Sequence, residues 1–240
     1  MSFLSGAPAP VWPLTAPADD WPGNPWFSWR YVQDNAGEIL SALQFHAGLT
    51  ARAVFIALIV ALPLVVVSSR WRPLTGPILA FSGVLHPIPA LALLALIAPA
   101  VGTSGDTSVL IALVLSAILV LVRNTLAGLS QVPAEVRDAA DGLGYGRLGR
   151  LWRIELPLAL PGLLTGLRVA TVSTVALVTV GSLIGQGGLG ELILGGFRNN
   201  FTRVEIMTGT LLCVGLALVL DLALAGLGRL LTPWARERSS

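Results

Sequence analysis

Lysine is absent from this 240-residue chain, and all fifteen basic side chains are arginine. A phosphate-binding P-loop needs a lysine after its glycine run, so any nucleotide-driven work must fall to another polypeptide. Cysteine occurs once, at Cys213 within an apolar run, which excludes an intrachain disulfide and a cysteine-based metal site. Its simplest role is that of a small buried hydrophobe. Histidine occurs twice, at His46 and His86, with no partner pattern for metal binding or acid–base catalysis, so packing is the default for both. Charge is scarce: 12% of residues are charged, against about 25% in soluble domains. The opening residues have neither a basic region nor an apolar stretch of signal-peptide type. Residues 1–35 are instead rich in Pro, Ala and Trp, with Trp12, Trp21, Trp26 and Trp29 beside Asp19, Asp20 and Asp34. They read as an extended arm ending near a membrane surface, where indole rings favour the headgroup zone.

What remains is mostly apolar. Hydrophobic residues make up 54% of the chain, and the mean hydropathy is +0.78. The composition is that of an all-α integral membrane protein in one domain. A helix needs about 20 apolar residues to cross the hydrocarbon, and five stretches qualify: 51–69, 74–98, 107–122, 163–184 and 206–230. The third is short unless its flanks extend it. Pro87 and Pro89 interrupt the second, where a kink is expected because neither half is long enough to cross alone; a six-span reading stays open. Eleven arginines fall on one side of these spans, among them Arg70, Arg72, Arg123, Arg137, Arg147, Arg150, Arg153 and Arg229. Arg30, Arg52, Arg198 and Arg203 fall on the other, together with most of the acids. The arginine-rich side is expected to be cytoplasmic, placing the N-terminus outside and the C-terminus inside. The expected division is an extracytoplasmic arm at 1–50 and a transmembrane domain at 51–240, with a long cytoplasmic loop at 123–162.

That loop is far longer than the 4–6 residues of a typical connection, and Leu143, Tyr145, Leu148, Leu151, Trp152, Ile154 and Leu156 give it too much apolar surface for disorder. Pro133 suits the start of a helix. Residues 134–143 then read as a short helix with Val136, Ala139, Ala140 and Leu143 on one face. Gly142, Gly144 and Gly146 permit a sharp turn. Residues 147–155 read as a second short helix, and Pro157 and Pro161 mark the re-entry into the membrane.

Within the loop stand Asp138-Ala139-Ala140, three residues, Gly144, nine residues, then Ile154, one residue, Leu156 and Pro157. This resembles the signature of binding-protein-dependent ABC importer permeases: Glu-Ala-Ala, three residues, Gly, nine residues, Ile-x-Leu-Pro. Every fixed position matches except the first, where Asp138 replaces Glu with a shorter carboxylate, so the family's salt-bridge geometry need not carry over. The resemblance implies a type I importer permease fold whose loop docks into a cytoplasmic ABC ATPase. Asp138, Ala139, Ala140, Gly144, Ile154, Leu156 and Pro157 would be the coupling residues. It further implies a second permease subunit, identical or homologous, and an extracytoplasmic substrate-binding protein. No cofactor, catalytic residue, metal site or nucleic-acid partner is expected on this chain. From Tyr31 to Asp221 the stretches "YVQDNAGEILSALQFHAGLT", "LHPIPALALLALIAP", "LVRNTLAGLSQVP" and "LIGQGGLGELILGGF" look like permeases for osmoprotectants such as glycine betaine, choline and carnitine. The last is shared with methionine permeases, which stay as the alternative.

Three features lie outside the coupling loop. Gly185, Gly187, Gly188 and Gly190 form "GQGGLG" at the outer end of the fourth span, either an outer gate or binding-protein contact, or a tight turn. Asp221 is the one carboxylate deep in a span, and an intramembrane acid is a functional candidate; pairing, with Arg168 or water, is the competing role. The tryptophans of the arm suggest an aromatic cage for a quaternary ammonium, but interfacial anchoring or docking accounts for them more simply. A secondary transporter would need more intramembrane ionisable groups and two repeats. An intramembrane enzyme would need a nucleophile with its base. A passive scaffold would leave the loop pattern unexplained.

Overall fold

In lipid every backbone N–H and C=O must find its partner within the protein, so apolar runs of spanning length fold as helices. The computed structural model describes residues 24–70, 106–185 and 187–235. In chain order α1 covers Trp29–Asp34, α2 Ala36–Arg70, α3 Asp106–Ser130, α4 Ala134–Gly142, α5 Arg147–Arg150, α6 Leu156–Gly181, α7 Leu189–Arg198 and α8 Arg203–Leu231. A π-helical turn, Leu151–Glu155, joins α5 to α6. Among the described residues four helical stretches are long and apolar enough to cross a membrane: Ala36–Ser69, Thr107–Ser130, Arg147–Gly181 and Arg203–Leu231. They correspond to four of the five expected spans. The expected second span, 74–98, with Pro87, Pro89, His86 and the six-span alternative, lies outside the described residues, as do Trp12 and Trp21.

The helices run further than the apolar stretches that announce them. α2 starts at Ala36 rather than near 51 and continues through Pro63. At 1.5 Å per residue its 35 residues extend about 50 Å, well beyond the ~30 Å hydrocarbon core. The helix therefore passes straight through residue 50, the expected boundary between arm and transmembrane domain, without a break. α3 carries on through Arg123, Asn124 and Thr125 to Ser130, because its polar side chains turn back onto the helix. Asn124 Nδ2 donates to the Val120 carbonyl at 2.8 Å and Thr125 Oγ1 to the Leu121 carbonyl at 2.7 Å. The first eight residues of the expected 123–162 loop are therefore helix.

Small residues let these helices approach closely, as is usual where lipid removes the hydrophobic drive between helices. Ala53, Ala57 and Ala61 form a stripe on α2 that is at most 2% exposed. Where α3 crosses α6, a methyl placed on Gly162 would lie 2.8 Å from Gly128 Cα, and one on Gly166 would lie 2.7 Å from Asn124 Cβ. One core cluster joins Ala57, Ala61 and Val65 of α2 to Leu121, Leu126 and Leu129 of α3, Leu151 of the π turn, and Ala159 and Ala170 of α6. A second joins Leu49 and Ala53 to Val109, Ala112, Leu113 and Val178 nearer the opposite end. α8 lies on the outside, with only 6% of its apolar window buried within the chain.

The bundle thus has two ends. α4, α5 and the π turn occupy one; α1, α7 and the turn preceding α7 occupy the other. At the second end Asn24 fastens the incoming chain: its Oδ1 accepts from Arg203 N–H at 2.8 Å and its Nδ2 donates to the Phe201 carbonyl at 2.9 Å. The Arg203 guanidinium lies 4.9 Å from the centre of the Trp26 ring, within cation–π range.

Candidate functional site

The loop between α3 and α6 is ordered by its own sequence. Pro133 adopts an extended conformation (φ −58°, ψ 145°) immediately ahead of α4. At the other end of α4, Gly144 takes φ +81°. The Tyr145 N–H bonds to the Ala140 carbonyl at 3.1 Å and the Gly144 N–H to the Asp141 carbonyl at 3.0 Å. This is the Schellman arrangement, in which a left-handed residue closes a helix by satisfying its last carbonyls. The glycine of the motif is thus required by backbone conformation, not by crowding, since nothing lies within 4 Å of a methyl placed there.

Ion pairs then fold the turn back on itself. Arg150 pairs with Asp141 through Nη1, and its Nε donates to Glu155 Oε1 at 2.7 Å. Arg137 lies 3.9 Å from the same Glu155 oxygen, and its Nη2 donates to the Leu129 carbonyl at 2.6 Å, near the end of α3. The acids that hold the loop are therefore Asp141 and Glu155. Asp138 is exposed and outside this set of ion pairs. Of the motif residues, Ala140 is buried, Ile154 and Leu156 are half-buried, and Asp138, Ala139, Gly144 and Pro157 face outward. Beside them Leu143 is 78% exposed and Trp152 57%, with Leu148 also exposed. A loop pinned internally by charge thus presents acidic, small and apolar groups together at its surface. Arg137, Asp141, Arg150 and Glu155 escape a reading by motif; of their pairs only Arg150–Glu155 is close in sequence.

α5, the π turn and α6 run on without a break, and Pro157 and Pro161 are absorbed near the start of α6 rather than ending it. The expected second short helix is thus the first part of a spanning helix. Further along, Arg168 of α6 grips Asp221 of α8 through two hydrogen bonds, Nε to Oδ1 at 2.8 Å and Nη2 to Oδ2 at 2.7 Å. The carboxylate deep in its span is thereby paired in the bidentate geometry that suits guanidinium.

At the opposite end, Gly185, Gly187 and Gly188 take φ of +83°, +72° and +82°, the left-handed region that favours glycine. Gly188 lies on α2: a methyl there would come within 3.4 Å of both His46 Nδ1 and Phe45 Cδ1. A methyl on Gly190 would overlap Ser182 Oγ and the Thr179 carbonyl. Of these glycines, Gly188 is seated closely against α2, and Gly190, already within α7, against Thr179 of α6 and Ser182. Tyr31 of α1 packs beneath with Ile39 and Val204. Burial, with Glu205 and Glu38 nearby, pushes its phenol well above the ordinary range and keeps it neutral. Among the described residues no group of three or more His, Cys, Asp or Glu is placed to hold a metal ion.

This architecture of long crossing helices, a charged helical loop at one end and a glycine turn at the other is that of a multi-span membrane protein. The fold is similar to a chain of the MetNI methionine ABC transporter in inward-facing form, with TM-score 0.74 and 20% identity, covering 86% of this chain and 100% of that one. It is also similar to a chain from the crystal structure of an amino acid ABC transporter, with TM-score 0.68 and 18% identity, covering 88% and 98%. At such identities the likeness concerns the fold. Residues 53–237 match the family described as binding-protein-dependent transport system inner membrane component, and the chain belongs to that family. It is 36% identical over 208 residues to the osmoprotectant import permease protein OsmW of Salmonella typhimurium (strain LT2), covering 85% of this chain and 96% of the relative. It is 30% identical over 210 residues to the glycine betaine/carnitine/choline transport system permease protein OpuCD of Bacillus subtilis (strain 168), covering 88% and 91%. Membership makes this a multi-pass inner-membrane subunit of a transport system, not an enzyme, and sets aside the secondary-transporter and scaffold readings.

Proposed function

We propose that the chain is the permease subunit of an ATP-driven importer for osmoprotectants of the quaternary-ammonium class, such as glycine betaine, choline or carnitine. The observation that carries this is the loop: an importer-type motif whose glycine closes α4 and whose Asp138, Ala139 and neighbouring apolar groups face outward. That surface would seat in a groove of a cytoplasmic ABC ATPase. The substrate class rests on the curated relatives, whose names specify osmoprotectants, choline or glycine betaine/carnitine/choline. The methionine alternative has likeness of fold and the one shared stretch "LIGQGGLGELILGGF" behind it.

The arginine-rich loop end would face the cytoplasm and the end bearing α1, α7 and the glycine turn would face outward, in accord with the positive-inside rule. Two permease subunits, identical or homologous, would enclose the path, two ATPases would bind below, and a binding protein would deliver solute from outside. Arg168 and Asp221, satisfied by each other, serve as a structural tie rather than a solute contact. The test is reconstitution of the complex in proteoliposomes with ATP inside and binding protein outside. Uptake of labelled glycine betaine that requires ATP and survives a protonophore is the expected result. Uptake without ATPase subunits, or of methionine alone, would overturn the proposal.

A further inference from the structure

A charged side chain at the edge of a lipid core must find water, an opposite charge or a headgroup. Toward the end of the bundle that bears α7, three arginines have company within the chain. Arg30 pairs with Asp34, Arg198 with Glu191, and the Arg203 guanidinium stands over Trp26. Arg52 is exposed and has no such partner among the described residues. Its depth follows from helix length. Residues 53–69 of α2 carry no charge, and the rise from Arg52 to Arg70 is about 27 Å. On α3 the stretch from Thr107 to Arg123 is likewise uncharged between its ends and rises about 24 Å. Both approach the ~30 Å thickness of the hydrocarbon, so Arg52 and Thr107 stand together at one of its boundaries. They line one groove of about 130 Å³ between α2 and α3. Gln44, Gly48 and Arg52 follow at intervals of four along its α2 wall, and Leu49 and Leu110 supply apolar surface. Nothing lies within 4 Å of a methyl placed on Gly48, so the groove is open where that side chain is missing. No Asp or Glu lines it.

We infer that this groove is a binding site for an anionic phospholipid. The Arg52 guanidinium, with its fork of N–H donors, takes the phosphate. The Gln44 amide and the Thr107 hydroxyl, both exposed, are left for the ester and headgroup oxygens. From Arg52 the same side of α2 continues with Phe55, Ile56 and Ile59, all exposed, at the helical spacing that gives the acyl chains an apolar track into the core. A cation with no acid beside it favours a headgroup of net negative charge over a zwitterionic one, whose ammonium would find no partner here. The apolar wall and the track beneath it favour a lipid over a soluble anion. The site needs the membrane-spanning reading given above and nothing about the solute.

The test uses the assembled complex in neutral detergent, titrated with phosphatidylglycerol or phosphatidylcholine, with bound lipid counted by native mass spectrometry. Phosphatidylglycerol should be held in preference to phosphatidylcholine. Arg52→Gln should weaken its retention about fivefold, the size expected for one arginine against an anionic headgroup, and Arg52→Lys should weaken it less. Gly48→Leu changes no charge and fills the open space of the groove, so it should lower retention with the melting temperature kept. It decides the matter even if Arg52→Gln assembles poorly. Equal retention by wild type and both variants would overturn the inference, as would equal retention of the two lipids. Competition by glycerophosphate at the same concentration as the lipid would make this a soluble-anion site and also overturn it. A wild-type complex that holds no phosphatidylglycerol, as when a second subunit covers the groove, would do the same. No uptake enters these measurements, so failure to carry glycine betaine would count against the substrate class alone.

Discussion

Gly144 carries a backbone conformation that costs an L-residue about 1–2 kcal/mol, with open space where a side chain would go. Substitutions there should rank by tolerance of left-handed φ and not by size: Asn mild, Ala intermediate, Val worst. Retention of the ATPase on washed membranes should follow that order while insertion stays normal; a ranking by volume would contradict it. Asp138 is exposed and stands apart from the Arg150 and Glu155 pairs, so Asp138→Arg should weaken ATPase retention without lowering the melting temperature. Arg150→Ala should do the reverse first, loosening the turn so that its amides exchange faster with deuterium. For the Arg168–Asp221 tie, Asp221→Asn should strip a cation of its partner within the membrane and lower stability in detergent. Replacing both residues with leucine should recover much of that loss, whereas an acid acting on solute would give lost uptake with stability intact.

At the scale of elements, the crossing of α3 and α6 brings two glycine backbones into close contact. Gly162→Val would thrust its side chain into the Gly128 backbone and should cost roughly 1–3 kcal/mol, seen as a lower yield of monodisperse protein. Gly215→Val on α8, where nothing lies within 4 Å of an added methyl, serves as the control. The spanning helices are legible in the sequence because a lipid core demands a run of fixed length, and 107–122 and 206–230 announce α3 and α8 directly. Their ends are not legible. Ala36 to Thr50 looks like a polar lead-in, yet His46 is buried against Val175 of α6 and Gly188, and Leu49 against α3 and α6, which no local pattern reveals. Asn124 and Thr125 look like a loop entry until their side chains are seen bonded to their own helix. The motif residues are legible from their spacing, but the Arg137–Glu155 and Arg150–Asp141 pairs depend on how α4 folds back, and that is tertiary information.

For the molecule as a whole, the division of charge between its ends makes orientation measurable. A cysteine at Leu143 in a Cys213→Ser background should be reached by an impermeant reagent only in inside-out vesicles, and one at Phe201 only in right-side-out vesicles. The opposite pattern would invert the topology and remove the loop from any cytoplasmic motor. On α8, Leu218 and Leu222 are exposed, and apolar exchanges at either should be tolerated with little change in stability measured in a lipid-like environment.

The unbroken stretch from Arg147 to Gly181 has a mechanical corollary. It is a single rod about 50 Å long, with its foot beside the arginine-laced turn and its head beneath the glycines. Foot and head thus belong to one continuous element, and a tilt at one end is carried toward the other except where the π turn and Pro161 let the helix bend.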